Sequence, residues 1–453
     1  MKKGFTLIEL LAVIVILAII ALIAIPTISG LIEKARLGAV RDSVYNIIDA
    51  AELHFAIDDA DVIDGELTFT CDGAKCTTSS GQELKFKGKV PSTGMIIASK
   101  DSSNAINIKI GNYCAFGSRD NIQVVKGDCV LEAGIYDSKY NLIASWTKLV
   151  NDYHLDIEKD YSDTWNVYNS NTSLYYILNH NPELSEINTI VIPNTITKIG
   201  NYAFAAAGYE VIGSGIFNLK SKITKIVIPE SVTKIGIMAF QYLSKIKEIE
   251  ILGSDVDISY NSFNDLNKLE KVTLGINTIN SINDYFSSSK ETINNIILTD
   301  SVMNIEPDAF GSLYQLKNIK VDSNNTNFKS VNGILYNKDM TKIICYPSGK
   351  SNTTFIIPNT VTSIEDFAFA SSLSLNSVTI PSSVHYVGYG AFGYSENLNS
   401  VIFETKKGWI LVTYNDDDTE SRIDVDSSDY SLEDPASAAE LLKNGSGIYL
   451  THN

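Results

Sequence analysis

Apolar positions are distributed very unevenly along the chain. From Leu10 to Ile25 every residue is apolar, with Lys2, Lys3 and Gly4 ahead of the run and Pro26 just after it. Counted from Phe5, that stretch has the length needed to cross a hydrocarbon core of about 30 Å as a helix. A secretory signal would place small residues at a cleavage site after the run, and Ala24-Ile25-Pro26 makes a poor one. Beyond Pro26 the pattern turns amphipathic: Ile28, Ile32, Ala35, Ala39, Ile47, Ala51 and Phe55 recur at helical spacings. The spacing predicts one helix from Phe5 to about Ile57, roughly 80 Å long, kinked at Pro26. Period-two segments follow at Leu67–Thr70, Leu84–Phe86, Met95–Ala98, Ile106–Ile110 and Ile122–Val125, which reads as a small antiparallel sheet.

The remaining two-thirds repeats itself. Aligning on Phe204, Phe240, Phe263, Phe286, Phe310, Phe369 and Phe392 exposes a common step of 23 or 24 residues, and Ala precedes five of these Phe. Upstream lies a matching frame, Ile226-Val227-Ile228-Pro229 through Ile235 and again Phe355-Ile356-Ile357-Pro358 through Ile364. Each unit is a short strand, a turn, a second extended piece and an Ala-Phe corner. No such unit buries its apolar face alone, so the array is expected to stack as a solenoid with the seven Phe inside. Ser145 to Val150 and Leu174 to Leu178 are expected as short helices capping one end. Trp409 to Tyr414, an acidic hairpin at 415–426 and a helix at Pro435 to Lys443 are expected to close the other.

Composition agrees with a folded chain: of 453 residues 44% are hydrophobic, with 23 Tyr and 17 Phe. A net charge of −17 repels phosphate backbones, so no nucleic-acid partner is expected. Catalysis finds no constellation: the five His are scattered, and no Gly-x-Ser-x-Gly occurs. One Gly-x-Gly-x-x-Gly, at Gly388, Gly390 and Gly393, overlaps the repeat's own Ala391-Phe392, so it is read as repeat and not as a dinucleotide site. No cofactor and no metal site is expected. Four of the five Cys fall between the helix and the repeats. Outside the cytoplasm they form two disulfides, with three connectivities open; Cys71 with Cys76 and Cys114 with Cys129 is favoured. Cys345, in a repeat strand, is expected as a small buried hydrophobe. Outward strand positions, among them Lys225, Glu248, Lys271, Asn295 and Asn318, form a polar strip that is the candidate binding face.

Two motifs carry resemblances. Gly4-Phe5-Thr6-Leu7-Ile8-Glu9 before an uninterrupted apolar helix resembles the class III signal of type IV prepilins and pseudopilins. The resemblance implies cleavage between Gly4 and Phe5 by a prepilin peptidase, methylation of the Phe5 amine, and packing of the helix with other pilin subunits. There Glu9 would meet a neighbour's Phe5 ammonium. The Ile-Pro, Val-Thr-x-Ile and Ala-Phe pattern, with its longer unit at Phe328 to Pro347, is similar to BspA-like leucine-rich repeats over 187–403. The fold class expected is a long N-terminal α-helix with a small α+β pilin-like head, then a β-rich leucine-rich-repeat solenoid. Its divisions are a leader at 1–4, the transmembrane or filament helix at 5–57, a disulfide-bearing head at 58–132, a linker and N-terminal cap at 133–186, the repeats, and a C-terminal cap at 404–453. The function this implies is non-enzymatic. It is a minor pilin or tip subunit moving from the cytoplasmic membrane to the cell surface, with its repeats presented to a host or cell-surface ligand. The alternative is a pseudopilin of a type II secretion or DNA-uptake machine.

Overall fold

The computed structural model describes residues 32, 34–56, 66–78, 81–99, 104–127, 133–138, 140, 142–184, 186–205, 209–212, 216–219, 222–414, 420–425, 432–444 and 448–452. Gly4, Phe5, Glu9, Cys129 and the apolar run lie outside these residues. Among the described residues no helix is long and apolar enough to cross a membrane. Packing divides the chain into two compact units, Met1–Leu131 with Tyr136–Leu142, and Glu132–Ile135 with Ile143–Asn453.

In the first unit, helix α1 (34–56) buries Val44, Ile47, Ile48 and Ala51, a face spaced three and four apart, while most of 34–43 is exposed. That face shares a core with Leu67, Phe69, Ile96, Ile106 and Ile108 of an antiparallel sheet. Its strands are β1 (Glu66–Cys71), β2 (Cys76–Thr77), β3 (Thr93–Ser99), β4 (Ala105–Ile110), β5 (Tyr113–Ser118) and β6 (Gln123–Lys126), in the order β2-β1-β3-β4-β5-β6. Arg119 ties the sheet to the helix, its Nη1 lying 2.7 Å from Asp49 and 2.9 Å from Glu52. The expected strand at Leu84–Phe86 does not form. Lys85 and Lys87 alternate with apolar neighbours, but only the single bridge Thr77 to Glu83 joins that segment to a strand. Conversely, β5 lacked a period-two signal because Cys114 and Ala115 are both buried in succession.

The second unit is a solenoid with two parallel ladders. The first stacks Thr189–Val191, Lys225–Ile228, Glu248–Ile251, Lys271–Leu274, Asn295–Leu298 and Asn318–Val321 in strict register. It resumes at Thr354–Ile356, Ser377–Ile380 and Ser400–Phe403. The second ladder is built of two-residue pairings. It pairs Lys198–Ile199, Lys234–Ile235 and Asp257–Ile258, then Thr278–Ile279 with Asn304–Ile305, and then Lys342–Cys345, Ser363–Ile364 and Tyr386–Val387.

Inside, the repeat Phe rings stack coil on coil. Phe204, Phe240, Phe263 and Phe286 follow one another at centroid distances of 5.0, 5.1 and 4.9 Å. Backbone geometry at each corner explains the register. Tyr202, Met238, Asn261, Asp308 and Phe367, each two residues before a Phe, hold φ between 50° and 62°. Gly390 fills the same slot before Phe392 with φ 54°, so the Gly-x-Gly-x-x-Gly belongs to the coil corner. Corner N–H groups then donate to the next coil, as from Phe204 to Ala239 and from Phe369 to Ala391, both at 2.7 Å.

An antiparallel pair, Tyr209–Ile212 with Ile216–Leu219, is inserted between Phe204 and Phe240, and the second ladder lapses between Ile258 and Thr278, but a larger interruption, of both ladders and the ring stack together, comes after Val321. Phe328–Val331 and Ile334–Asn337 form an antiparallel pair around Asn332-Gly333, whose φ values of 51° and 77° make a type I′ turn. Phe310 is buried, but among the described residues no ring stacks on it; Tyr346 takes the next Phe position, 5.0 Å from Phe369, and its N–H donates to Ala368 as Phe369 donates to Ala391. Two apolar cores meet here, one running from Ile135 to Leu335 and the other from Ile334 to Leu450. Helices Trp146–Asn151 and Leu174–His180 place Trp146, Leu149, Leu174 and Ile177 in the first core. At the far end Pro435–Asn444 buries Ala438, Ala439 and Leu442 in the second, and Ile448–His452, a strand the sequence did not suggest, pairs antiparallel with Tyr386–Val387 and Trp409–Tyr414.

Candidate binding face

Within each first-ladder strand the side chains alternate: Ile226 and Ile228 point inward, Lys225 and Val227 outward. Because the strands pair in register, the outward positions align in rows. One row runs Thr189, Lys225, Glu248, Lys271, Asn295, Asn318, and its neighbour Val191, Val227, Glu250, Thr273, Ile297, Lys320. This is the strip the sequence pointed to.

Four of the rows' charges are spent on each other. Lys225 Nζ lies 3.2 Å from Glu248 and 2.6 Å from Glu250, and Lys271 Nζ lies 2.7 Å from Glu248. Glu248 is only 7% exposed. Burial alone would push its carboxyl up, but the two ammonium groups hold it well below the usual carboxylate range. The network was not foreseen, although Lys225, Glu248 and Lys271 recur at a separation of 23 residues, the repeat step itself. Past the interruption the face changes character, with Thr354, Ser377 and Ser400 in one row and Ile356, Thr379 and Ile402 in the other. Ile356 there is 73% exposed.

The other sequence-derived sites sort as follows. The seven repeat Phe are all buried, with Phe310 outside the ring stacks. Cys71 and Cys76 form a disulfide across the β1–β2 turn. Cys114 is disulfide-bonded, and Cys129, its favoured partner, lies outside the described residues. Cys345 is a free thiol, half-buried and not, as expected, fully enclosed, and desolvation pushes it up to about 12, which leaves it protonated at neutral pH. Two of the scattered His do meet: the rings of His385, just before the strand Tyr386–Val387, and His452 lie 5.8 Å apart, and His452 Nε2 bonds the Lys407 carbonyl at 2.9 Å. Among the described residues no group of three or more His, Cys, Asp or Glu is placed to hold a metal ion. The hairpin strand Glu420–Asp424 is described, while its tip at 415–419 lies outside the described residues.

The model of the BspA type leucine rich repeat region matches six copies over residues 165–208, 210–334 and 344–411. That of the prokaryotic N-terminal methylation motif matches residues 1–25. No curated protein matches the chain. Among solved structures, a leucine-rich repeat protein from Eubacterium ventriosum is 18% identical, covering 66% of this chain and 72% of its own, with a TM-score of 0.29. A leucine-rich cell surface protein from Faecalibacterium prausnitzii is 20% identical, covering 68% and 74%, with a TM-score of 0.30. The pneumococcal vaccine antigen PcpA is 19% identical over 48% of this chain and 72% of its own, with a TM-score of 0.29. At these TM-scores the likenesses carry no argument about function.

Proposed function

Since the chain belongs to the BspA-type leucine-rich repeat family and opens with a prokaryotic N-terminal methylation motif, we propose that it is a non-enzymatic, pilin-like surface protein whose repeats recognise a ligand on a host, another cell or a surface polymer. The observation that carries this reading is the presence of both modules on one chain. An assembly signal supplies attachment, and a solenoid supplies an extended ladder surface. Prepilin peptidase would cut between Gly4 and Phe5, and the apolar helix would hold the protein in the cytoplasmic membrane until it joins other pilin subunits at the cell surface.

The size of the solenoid supports a minor or tip subunit, because a bulky module at every position would crowd a helical shaft. Glu9 would then set the register against a neighbour's Phe5 amine, since a carboxylate in an apolar bundle needs a partner. Glu9→Ala should leave membrane insertion intact and keep the protein out of sheared filaments; its co-purification at wild-type level would reject that role. Deleting 187–453 should abolish surface attachment while the truncated chain still inserts. Unchanged attachment, with export or transformation lost when the whole protein is removed, would point to a secretion or DNA-uptake pseudopilin instead.

A further inference from the structure

The interruption after Val321, where both ladders lapse together, leaves a cleft. The second ladder stops at Asn304–Ile305 and resumes at Lys342–Cys345, with the antiparallel pair around Asn332-Gly333 between them. Phe310, the repeat Phe with no ring stacked on it among the described residues, lines a cavity of about 300 Å³ at this point together with Phe328 and Ile344. All three are apolar, and Phe310 and Phe328 are buried.

Charge in the cleft is lopsided. Four carboxylates line it, those of Glu306, Asp308, Glu365 and Asp366, against one ammonium, Lys342. Two of the four are already engaged. Glu365 lies 3.2 Å from Lys342 Nζ and accepts from Ser363 Oγ at 2.6 Å, and Asp366 accepts from Tyr386 Oη at 3.2 Å and from the Tyr389 N–H at 2.8 Å. Glu306 and Asp308 make no side-chain hydrogen bond or ion pair among the described residues. Desolvation pushes the Asp308 carboxyl up, as it must for a carboxylate drawn toward protein without a counter-charge.

The repeat does not require an acid at this place. Asp308 sits in the left-handed corner slot that other coils fill with Tyr202, Met238, Asn261 and Phe367. The neighbouring backbone makes room for it: a Cβ on Gly311 would collide with the Asp308 carboxylate. Apolar walls beside two unpaired carboxylates suit a cation carried on an apolar stem. A guanidinium suits them better than an ammonium, because its planar fork can serve two carboxylates at once and it is the less strongly hydrated cation.

We propose that this cleft receives an arginine side chain presented by a partner protein, with its guanidinium on Glu306 and Asp308 and its methylene stem against Phe310 and Phe328. The proposal names the partner chemistry of the recognition module and so rests on that reading of the repeats.

The test uses the full chain in detergent micelles and fluorescein-labelled Gly-Gly-Arg-Gly-Gly, with peptides carrying lysine or citrulline in place of arginine, read by fluorescence anisotropy. The arginine peptide should bind, the lysine peptide should bind more weakly, and the citrulline peptide at least about tenfold more weakly, as the loss of charge-assisted bonds requires. The double variant E306Q/D308N should lose a similar factor with its thermal midpoint unchanged, since both residues are exposed and Asn tolerates the left-handed slot. Absence of binding at millimolar peptide, equal binding of the citrulline peptide, or an unaffected E306Q/D308N would each overturn the proposal. If the peptide fails while deletion of 187–453 still abolishes attachment, the cleft is refuted and the recognition role stands. If the peptide binds while that deletion leaves attachment intact, the role falls and the cleft remains.

Discussion

Glu248 shows what in-register stacking does to a single charge. One residue in each of three consecutive coils places a carboxylate between two ammonium groups, and the face then excludes water from it. Because its folded pKa is depressed, the stability it contributes is fully present above the ordinary Glu value of about 4.3 and is lost as pH falls through the folded value. Glu248→Gln removes the carboxylate and leaves Lys271 without its partner. With Lys271 a third exposed, we expect a loss of about 2 kcal/mol at pH 7 by urea denaturation. The gap to wild type should narrow below about pH 4, and a gap constant from pH 7 to pH 3 would show that the network is not the cause. Cys345 makes the complementary case. Burial, with Asp308 nearby, holds its thiol protonated, so iodoacetamide at pH 8 should leave the folded protein unmodified and alkylate the denatured chain, as intact mass will show. Lys225, Glu248 and Lys271 were visible in the sequence as strand residues. Their pairing was not, because a repeat step gives the row a residue occupies but not how deeply the row is covered. Asp308 and Glu306 gave no signal at all, since the cleft exists only where two distant coils fail to stack.

Elements were legible where one period governed them. The Phe register and the Ile-Pro frame fixed the first ladder because every coil repeats the same inward positions; α1 followed from Ile47, Ala51 and Phe55 in the same way, whereas Ile32, Ala35 and Ala39, expected on the same face, are exposed, and Val44 and Ile48 complete the buried face. The misses share a different cause. Ile448–His452 is a strand because it covers the edge left by Tyr386–Val387, a tertiary demand that no local pattern expresses. Tyr346 was hidden by its identity: Cys345-Tyr346 does not resemble Ala-Phe, although its ring and its N–H occupy the Phe position. That equivalence is testable through the hydroxyl, which is buried and has no hydrogen-bond partner among the described residues. Tyr346→Phe should keep the ring stack and remove an unsatisfied polar group, raising stability by about 1 kcal/mol. Tyr346→Ala should cost about 3 to 5 kcal/mol, as for a large ring deleted from a core. Both can be read by urea denaturation, and a Tyr346→Phe variant less stable than wild type would mean that the hydroxyl has a role the ring position does not explain.

At the scale of the molecule, the solenoid's stability depends on neighbour-to-neighbour contacts, so a break in stacking is a break in cooperativity. Three separate features break at the same place. The Phe stack lapses at Phe310 and restarts at Tyr346, the second ladder is discontinuous between Ile305 and Lys342, and the apolar residues divide into two cores on either side of Leu335. The antiparallel pair at the seam contributes Leu335 to one core and Ile334 to the other, and Ile344 and Cys345 pack against the first core, so the blocks touch there without merging their apolar interiors. The two blocks should therefore respond separately to damage. Phe263 and Phe392 are both fully buried, one in each block, and replacing either with Ala should cost about 3 to 5 kcal/mol locally. In native-state hydrogen exchange, Phe392→Ala should speed exchange across 354–403 while leaving 225–298 near wild type, and Phe263→Ala should do the reverse. If either substitution speeds both blocks equally, the seam transmits stability as a regular coil would. The cleft at the seam would then have to be regarded as a rigid part of one continuous stack, and not as the place where two blocks adjoin.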